Sequence, residues 1–350
     1  MTQHMQAFFL HGPKDLRPAS IPIPPLAADQ VLVQVRATGL CGSDLHYYAH
    51  GRNGDFAPKA PFILGHEAAG EIIDSGAFAD SLPIGSRVAL DPSHPCRVCP
   101  QCLRGRYNLC ANMQYFGSAA TFPHVDGSFR QYLPVRAENC HLIPPAMSFA
   151  EAALLEPLSV ALQGVGNSGG VAGQSVLVCG AGPIGQLIGL VARHYGAAHL
   201  AVTDLRPQAL QLAAENWADC GVLADAPPQL AAAAPDGGFD IIIEASGSAP
   251  ALRTSIEYCR PGGTIVQVGN QAGPVELPVN LIMQRELTLQ GSFRFAHVFA
   301  QAVGLLAQQR LDVRPLITQT VAFADLVTGF EAALTPKNIK VVIDYPATNP

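Results

Sequence analysis

The first 150 positions are short alternating segments of hydrophobic and polar residues, and longer apolar runs follow. In "DQVLVQVRATGL" (29–40), Val31, Val33 and Val35 share one face at a period of two, which predicts a half-buried strand. "EIIDSG" and "GSRVAL" read the same way, with Pro and Gly between the segments. The period changes at "MSFAEAALLEPLSVALQGV" (147–165), where Ser148 and Glu151 form a capping-box start and an apolar helical run follows. Strands and helices then alternate: "SVLVCG" and "PIGQLIGLVARHYG", "HLAVTD" and "RPQALQLAAENWA", "FDIIIEASG" and "APALRTSIEYCRPGG", then "TIVQVG". Such alternation predicts an α/β fold built on a doubly wound parallel sheet. After "LTLQGS" it weakens. A helix near 296–310 and a strand "KVVIDY" form a tail too short to fold alone, expected to return to the first domain.

Length agrees with two domains, since 350 residues is about twice a common domain size. The expected division gives 1–157 and 292–350 to the β-rich domain and 158–291 to the sheet domain. The chain is 49% hydrophobic and 14% charged, against roughly 25% charged in an average soluble protein. Such a chain can bury a large core and further surface between subunits. A net charge of −6 offers no footprint for nucleic acid or an anionic membrane. The opening "MTQHMQAFFLHGPKDL" lacks the basic start and apolar run of a secretory signal. The longest apolar stretch, 176–192, contains Pro183, Gln186 and four glycines, so strand, turn and helix is preferred to a membrane span. A soluble cytoplasmic protein is expected. Its nine cysteines should be reduced, and clustered ones should bind metal rather than pair.

"VLVCGAGPIGQL" carries Gly180, Gly182 and Gly185 as G-x-G-x-x-G between a predicted strand and helix. The first glycine makes the turn, the second admits a pyrophosphate, and the third lets helix and strand pack closely. The helix N-terminus, with Pro183 and Ile184, would face the phosphates. Asp204 ends the next strand and can accept hydrogen bonds from ribose hydroxyls. It would repel a 2′-phosphate, so NAD is expected over NADP. Arg206, two residues on, offers a charge that would partly relax the exclusion of NADP. The plainer reading is a glycine turn with an incidental aspartate.

Cys96, Cys99, Cys102 and Cys110 lie within "CRVCPQCLRGRYNLC". Four thiolates complete a closed tetrahedral zinc shell, so a metal in the lobe 91–112 should be structural. Disulfides suit a reducing compartment poorly. A zinc-ribbon nucleic-acid module is opposed by the small basic content of the lobe, only Arg97, Arg104 and Arg106, and by its lack of an evident stacking platform. Upstream, "GLCGSDLHYY" and "ILGHEAAGE" supply Cys41, His66 and Glu67, residue types that bind zinc. Singly, each has a bland explanation: a core thiol, or a His–Glu loop hydrogen bond. Glu156, a carboxylate inside an apolar helix, needs a partner such as a metal or water.

In this order and spacing, "GLCGSDLHYY", "GHEAAG", the four-cysteine lobe, "EPLSVAL" and "GAGPIG" resemble the zinc-dependent medium-chain dehydrogenases, in particular the polyol branch around sorbitol dehydrogenase. "YFGSAATFPHVDG" and "GSFRF" resemble the L-idonate 5-dehydrogenase group of that branch. The resemblance implies a GroES-like first domain completed by the tail, a Rossmann second domain, NAD, and two zinc ions per chain. It implies a small sugar-acid or polyol substrate and a homotetramer or homodimer. It makes Cys41, His66 and Glu67 the catalytic zinc ligands, with Glu156 completing the shell or holding its water. Ser43 and His46 become the proton relay; Tyr47, Phe116, Arg294 and Phe295 become substrate contacts; Val268 and Gly269 join the cofactor set. Cys140, Cys179, Cys220, Cys259 and Trp217 keep core readings, and His194, His199 and His297 surface or packing ones. His124 and Asp126 stand between a substrate mouth and a simple turn.

Overall fold

The computed structural model describes residues 4–346. The chain divides into two compact units. One comprises Met1–Glu156, Phe299–Gln309 and Ile317–Pro350; the other comprises Pro157–Val298 and Arg310–Leu316.

The first unit is β-rich. His4–Gly12 and Asp15–Pro22 form a hairpin, extended by Phe62–Ile63. The larger sheet is centred on Gln30–Gly39, which pairs antiparallel with Glu67–Asp74, Tyr132–Arg136 and Lys340–Asp344. The tail thus supplies an internal strand here, next to the parallel edge strand Ile317–Ala322. The expectation of a half-buried Gln30–Gly39 is corrected. Val31, Val33 and Val35 are buried, but so are Leu32 and Gln34 on the opposite face, where Met5 and Tyr132 pack on Leu32. A strand covered on both sides loses its alternation.

The helical run at 147–165 is two helices, Phe149–Ala153 and Leu155–Gly166, broken at Leu154. The Ser148–Glu151 capping box is present, with Glu151 N donating to Ser148 Oγ at 3.1 Å. Pro157 explains the break: it has no N–H for the carbonyl of residue 153, and its ring would strike that carbonyl.

The second unit holds six parallel strands. Spatial order runs Cys220–Leu223, His199–Asp204, Ser175–Cys179, Phe239–Glu244, Cys259–Gln267, Thr288–Gly291. Numbered along the chain this is 3-2-1-4-5-6, the doubly wound Rossmann order, with its switch point between Ser175–Cys179 and Phe239–Glu244. The helix expected to include "CRPGG" ends at Tyr258, and Cys259 already begins the next strand. Trp217 is buried; its Nε1 donates to Gln186 Oε1 at 2.8 Å, and its ring fills the space left by Gly189. Among the described residues, no helix is long and apolar enough to cross a membrane.

Candidate functional site

The four-cysteine lobe has the spacing of a metal shell and not of disulfides. Sγ–Sγ separations are 3.6 Å for Cys99–Cys102, 3.9 Å for Cys99–Cys110 and 3.5 Å for Cys110–Cys96. A tetrahedron with Zn–S near 2.3 Å has edges of about 3.8 Å, whereas a disulfide needs about 2.05 Å. All nine cysteines are free thiols. Backbone N–H groups point at the sulfurs: Cys96 N donates to Cys110 Sγ at 3.2 Å and Asn112 N at 3.4 Å. N–H groups of Val98 and Cys99 lower the Cys96 thiol, and those of Cys102 and Ala111 lower Cys99. The lobe fits a zinc ion with no side left open.

In the same unit, Cys41, His66 and Glu67 bring one donor atom each within 4.8 Å of one another. Local sequence explains how. Cys41 is the N-cap of helix Gly42–His50, and Asp44 sits at the third helical position. The Asp44 carboxylate accepts from Cys41 N at 3.1 Å and from Gly65 N at 3.2 Å, so it ties the two ligand loops together. Its Oδ1 lies 3.6 Å from His66 Nδ1, which leaves Nε2 for a metal. Burial alone would push His66 down; Asp44 and the Cys41 sulfur outweigh it and hold the imidazole well above its ordinary value. A soft thiolate, an imidazole and a carboxylate form a three-ligand set that leaves a fourth position, as catalytic zinc requires.

Glu156 lies beside this cluster. Burial pushes its carboxyl up to about 7, with His66 opposing and Glu67 adding to the rise. Tyr115 Oη donates to Glu156 Oε1 at 2.6 Å. Lys340 is buried against Glu67, its Nζ paired with Oε2 and donating to the Leu40 carbonyl at 2.9 Å.

Ser43 and His46, the expected relay pair, stand on the helix that Cys41 caps. Partial burial and the neighbouring His50 lower His46. Tyr47 is buried and its hydroxyl accepts from Ala119 N at 3.2 Å. Phe116 is a core side chain, edge-on to His94 at 4.6 Å. His124 and Asp126 fasten their segment to 59–63: Lys59 N donates to His124 Nε2 at 2.8 Å and Ile63 N to Asp126 Oδ1 at 3.0 Å. Arg294 and Phe295 belong to the second unit. There Phe295 is buried, and Arg294 adopts a left-handed φ of 53° with its guanidinium over Phe293.

Also in the second unit, Gly180 turns at φ 96° after Ser175–Cys179, and Gly182 caps helix Pro183–His194. A Cβ at Gly185 would overlap the Gly180 carbonyl oxygen, so only glycine lets helix and turn approach this closely. Ile184 is half-buried in the first turn of that helix. Val268 N and Gly269 N, just past Cys259–Gln267, both donate to the Glu244 carbonyl at the end of the neighbouring strand, at 2.8 and 2.9 Å. Asp204 Oδ2 accepts from Ala181 N at 2.7 Å, while Arg206 donates to Oδ1 through N at 2.9 Å and Nε at 3.0 Å. Burial would raise Asp204; these bonds outweigh it and hold the carboxyl below its usual range. Free N–H groups at a helix start, beside an acid, suit a dinucleotide pyrophosphate and ribose.

Sequence reading missed Asp44, Tyr115 and Lys340. Cys41-x-x-Asp44 carried a capping signal that could have found the first. The other two act through contacts between distant segments.

A closed thiolate lobe, a three-ligand cluster and a Rossmann glycine turn together define a zinc-binding, nucleotide-dependent dehydrogenase. Residues 27–145 match the alcohol dehydrogenase GroES-like domain and residues 183–308 match the zinc-binding dehydrogenase family, and the chain belongs to this family of alcohol dehydrogenase-type oxidoreductases. It is 35% identical to a sorbitol dehydrogenase of Bacillus subtilis over 98% of both chains, and 36% identical to a D-xylulose reductase of Saccharomyces cerevisiae over 97% of this chain and 98% of that one. Its structure resembles that of L-idonate 5-dehydrogenase from Escherichia coli, with TM-score 0.91, 35% identity, and coverage of 98% of this chain and 99% of that one.

Proposed function

We propose that this chain oxidises a secondary alcohol of a sugar acid or polyol with NAD, with L-idonate to 5-ketogluconate as the leading reaction. The observation that carries the reading is the Cys41–His66–Glu67 cluster, oriented by Asp44 and flanked by the buried acid Glu156. Cys41, His66 and Glu67 would hold zinc, with Glu156 or a water at the fourth position; the lobe would hold a second. When bound, zinc supplies Lewis acidity to the substrate oxygen and the dinucleotide supplies the hydride acceptor.

The chain's own residues do the rest. Ser43 Oγ accepts the substrate hydroxyl proton and passes it towards His46, whose lowered pKa keeps it an unprotonated acceptor near neutral pH. Tyr47 shapes the substrate side. The Arg294 guanidinium would pair with a sugar-acid carboxylate, which it matches in two parallel bonds. Asp204 would receive the adenosine ribose and favour NAD. We infer a homotetramer or homodimer acting in the cytoplasm.

A second reading, a sorbitol- or xylitol-type dehydrogenase with the same machinery, is favoured by the likeness to a sorbitol dehydrogenase and a D-xylulose reductase. Side-by-side rates on L-idonate, sorbitol and xylitol, with NAD and with NADP, separate the two. L-Idonate should give the highest kcat/KM, and Arg294→Ala should raise KM for the acid at least tenfold more than for a neutral polyol. Equal losses on both would remove the carboxylate role.

A further inference from the structure

We propose that Lys340 is a positioning residue for the candidate metal site: its ammonium holds one oxygen of Glu67 and leaves the other to the cation. The proposal rests on the reading of Cys41–His66–Glu67 as that site.

Lysine is almost never fully buried without a partner. Lys340 is 2% exposed, and Glu67 is 1% exposed. Nζ is paired with Glu67 Oε2 and donates to the Leu40 carbonyl at 2.9 Å, next to Cys41. Both of its contacts therefore fall on the two loops that carry ligands. The register places it there. Val342 of Lys340–Asp344 lies opposite Gly39, and Leu40 N donates to the Val341 carbonyl at 3.0 Å. On the other side of Gln30–Gly39, Gly39 lies opposite Glu67.

Gly39 is the second observation. A Cβ at this position would overlap Glu67 Oε2 and come within 3.0 Å of Lys340 Cε. The missing side chain is thus the window through which ammonium and carboxylate meet. A pair serving only the core could be replaced by apolar side chains of similar volume at little cost. This one touches a candidate ligand directly and is built around a glycine.

Charge points the same way. Asp44, Glu67 and Glu156 are three buried acids around the cluster, and Lys340 sets its ammonium against the one that would ligate the metal. Without Lys340 the Glu67 carboxylate would lose its fixed orientation and face Glu156 with less compensation. Outer partners of metal ligands typically contribute 10- to 100-fold to metal affinity.

The test is zinc affinity by chelator competition on the full chain, with lobe zinc as internal reference. Lys340→Gln keeps a donor for the Leu40 carbonyl and removes the charge; Lys340→Arg keeps the charge. Lys340→Gln should weaken one of two zinc sites at least tenfold and leave the lobe's zinc in place. Lys340→Arg should restore affinity to within about threefold of wild type. With cobalt in place of zinc, the thiolate-to-cobalt absorption band of Lys340→Gln should shift. Wild-type affinity in Lys340→Gln, with only a lowered Tm, would overturn the proposal and leave the metal site standing. A wild-type chain that holds zinc in the lobe alone would overturn both. Should Lys340→Gln fail to fold, Lys340→Arg decides alone: a tenfold or greater loss of zinc affinity overturns the proposal, and retention supports it.

Discussion

Tyr115 joins the four-cysteine lobe to the acid beside the Cys41–His66–Glu67 cluster. Its ring packs in a cluster with Cys99, Cys110 and Met113, and its hydroxyl donates to Glu156 Oε1 at 2.6 Å. Tyr115→Phe keeps the ring and deletes the donor. An under-satisfied buried carboxyl costs about 1–3 kcal/mol. The variant should keep its zinc and its fold while kcat/KM falls about tenfold. Steady-state rates and zinc content, measured on one preparation, check this.

Cys99→Ser breaks a closed shell that leaves no room for substrate. It should lower zinc content by one ion per chain and reduce stability by several kcal/mol, since such ions contribute folding energy outright (about 10–16 kcal/mol in isolated zinc fingers). Whatever folded fraction survives should turn over near the wild-type rate. Elemental analysis, thermal unfolding and active-site titration give the three readouts.

Asp204 and Arg206 are the pair by which the proposed choice of NAD can be tested. Each oxygen of Asp204 already accepts from the chain, from Ala181 N and from Arg206. Arg206→Ala should depress NADP use at least tenfold and leave NAD within a few-fold. Asp204→Ala should raise the KM for NAD about tenfold, the worth of a hydrogen bond to a charged group. KM for both dinucleotides in both variants checks the pair.

Asp91 supplies a pH test. Burial pushes its carboxyl up to about 6, against hydrogen bonds from Ser93 N and Oγ. An acid with a raised folded pKa binds its proton more tightly in the native state. Stability should therefore fall as pH rises from about 4 to about 6, by about 1–3 kcal/mol. Asp91→Asn should lack that loss and be the more stable chain at pH 7. Denaturant unfolding at pH 4.5, 5.5 and 7 measures the difference.

Much of this was legible because the evidence was local. The glycine turn, its flanking strand and helix, and Asp204 lie within one strand–helix–strand unit, so period and spacing sufficed. The four cysteines span fifteen residues, and their spacing alone pointed to a closed shell. Contacts made across the fold left no such trace. Lys340 meets Leu40 only through a sheet register, and nothing in "NIKVVI" announces a buried ammonium. Tyr115 reads as an ordinary aromatic until Glu156 is beside it. The central strand hid its burial, because Val31, Val33 and Val35 show the period while Leu32 and Gln34 are covered only once the N-terminal hairpin and Tyr132 are in place.

The strand that carries Lys340 also has a consequence in time. A growing polypeptide makes the first ligand loops early and their last neighbour some three hundred positions later. The parallel sheet, by contrast, is encoded in one continuous stretch from Ser175 to Gly291. It can therefore be finished on the ribosome while its companion still waits for a missing edge. If Lys340 orders Glu67 as proposed, loading of an ion at Cys41–His66–Glu67 would belong to the end of synthesis, and a chain cut short before residue 340 should keep the parallel sheet and bind that ion weakly.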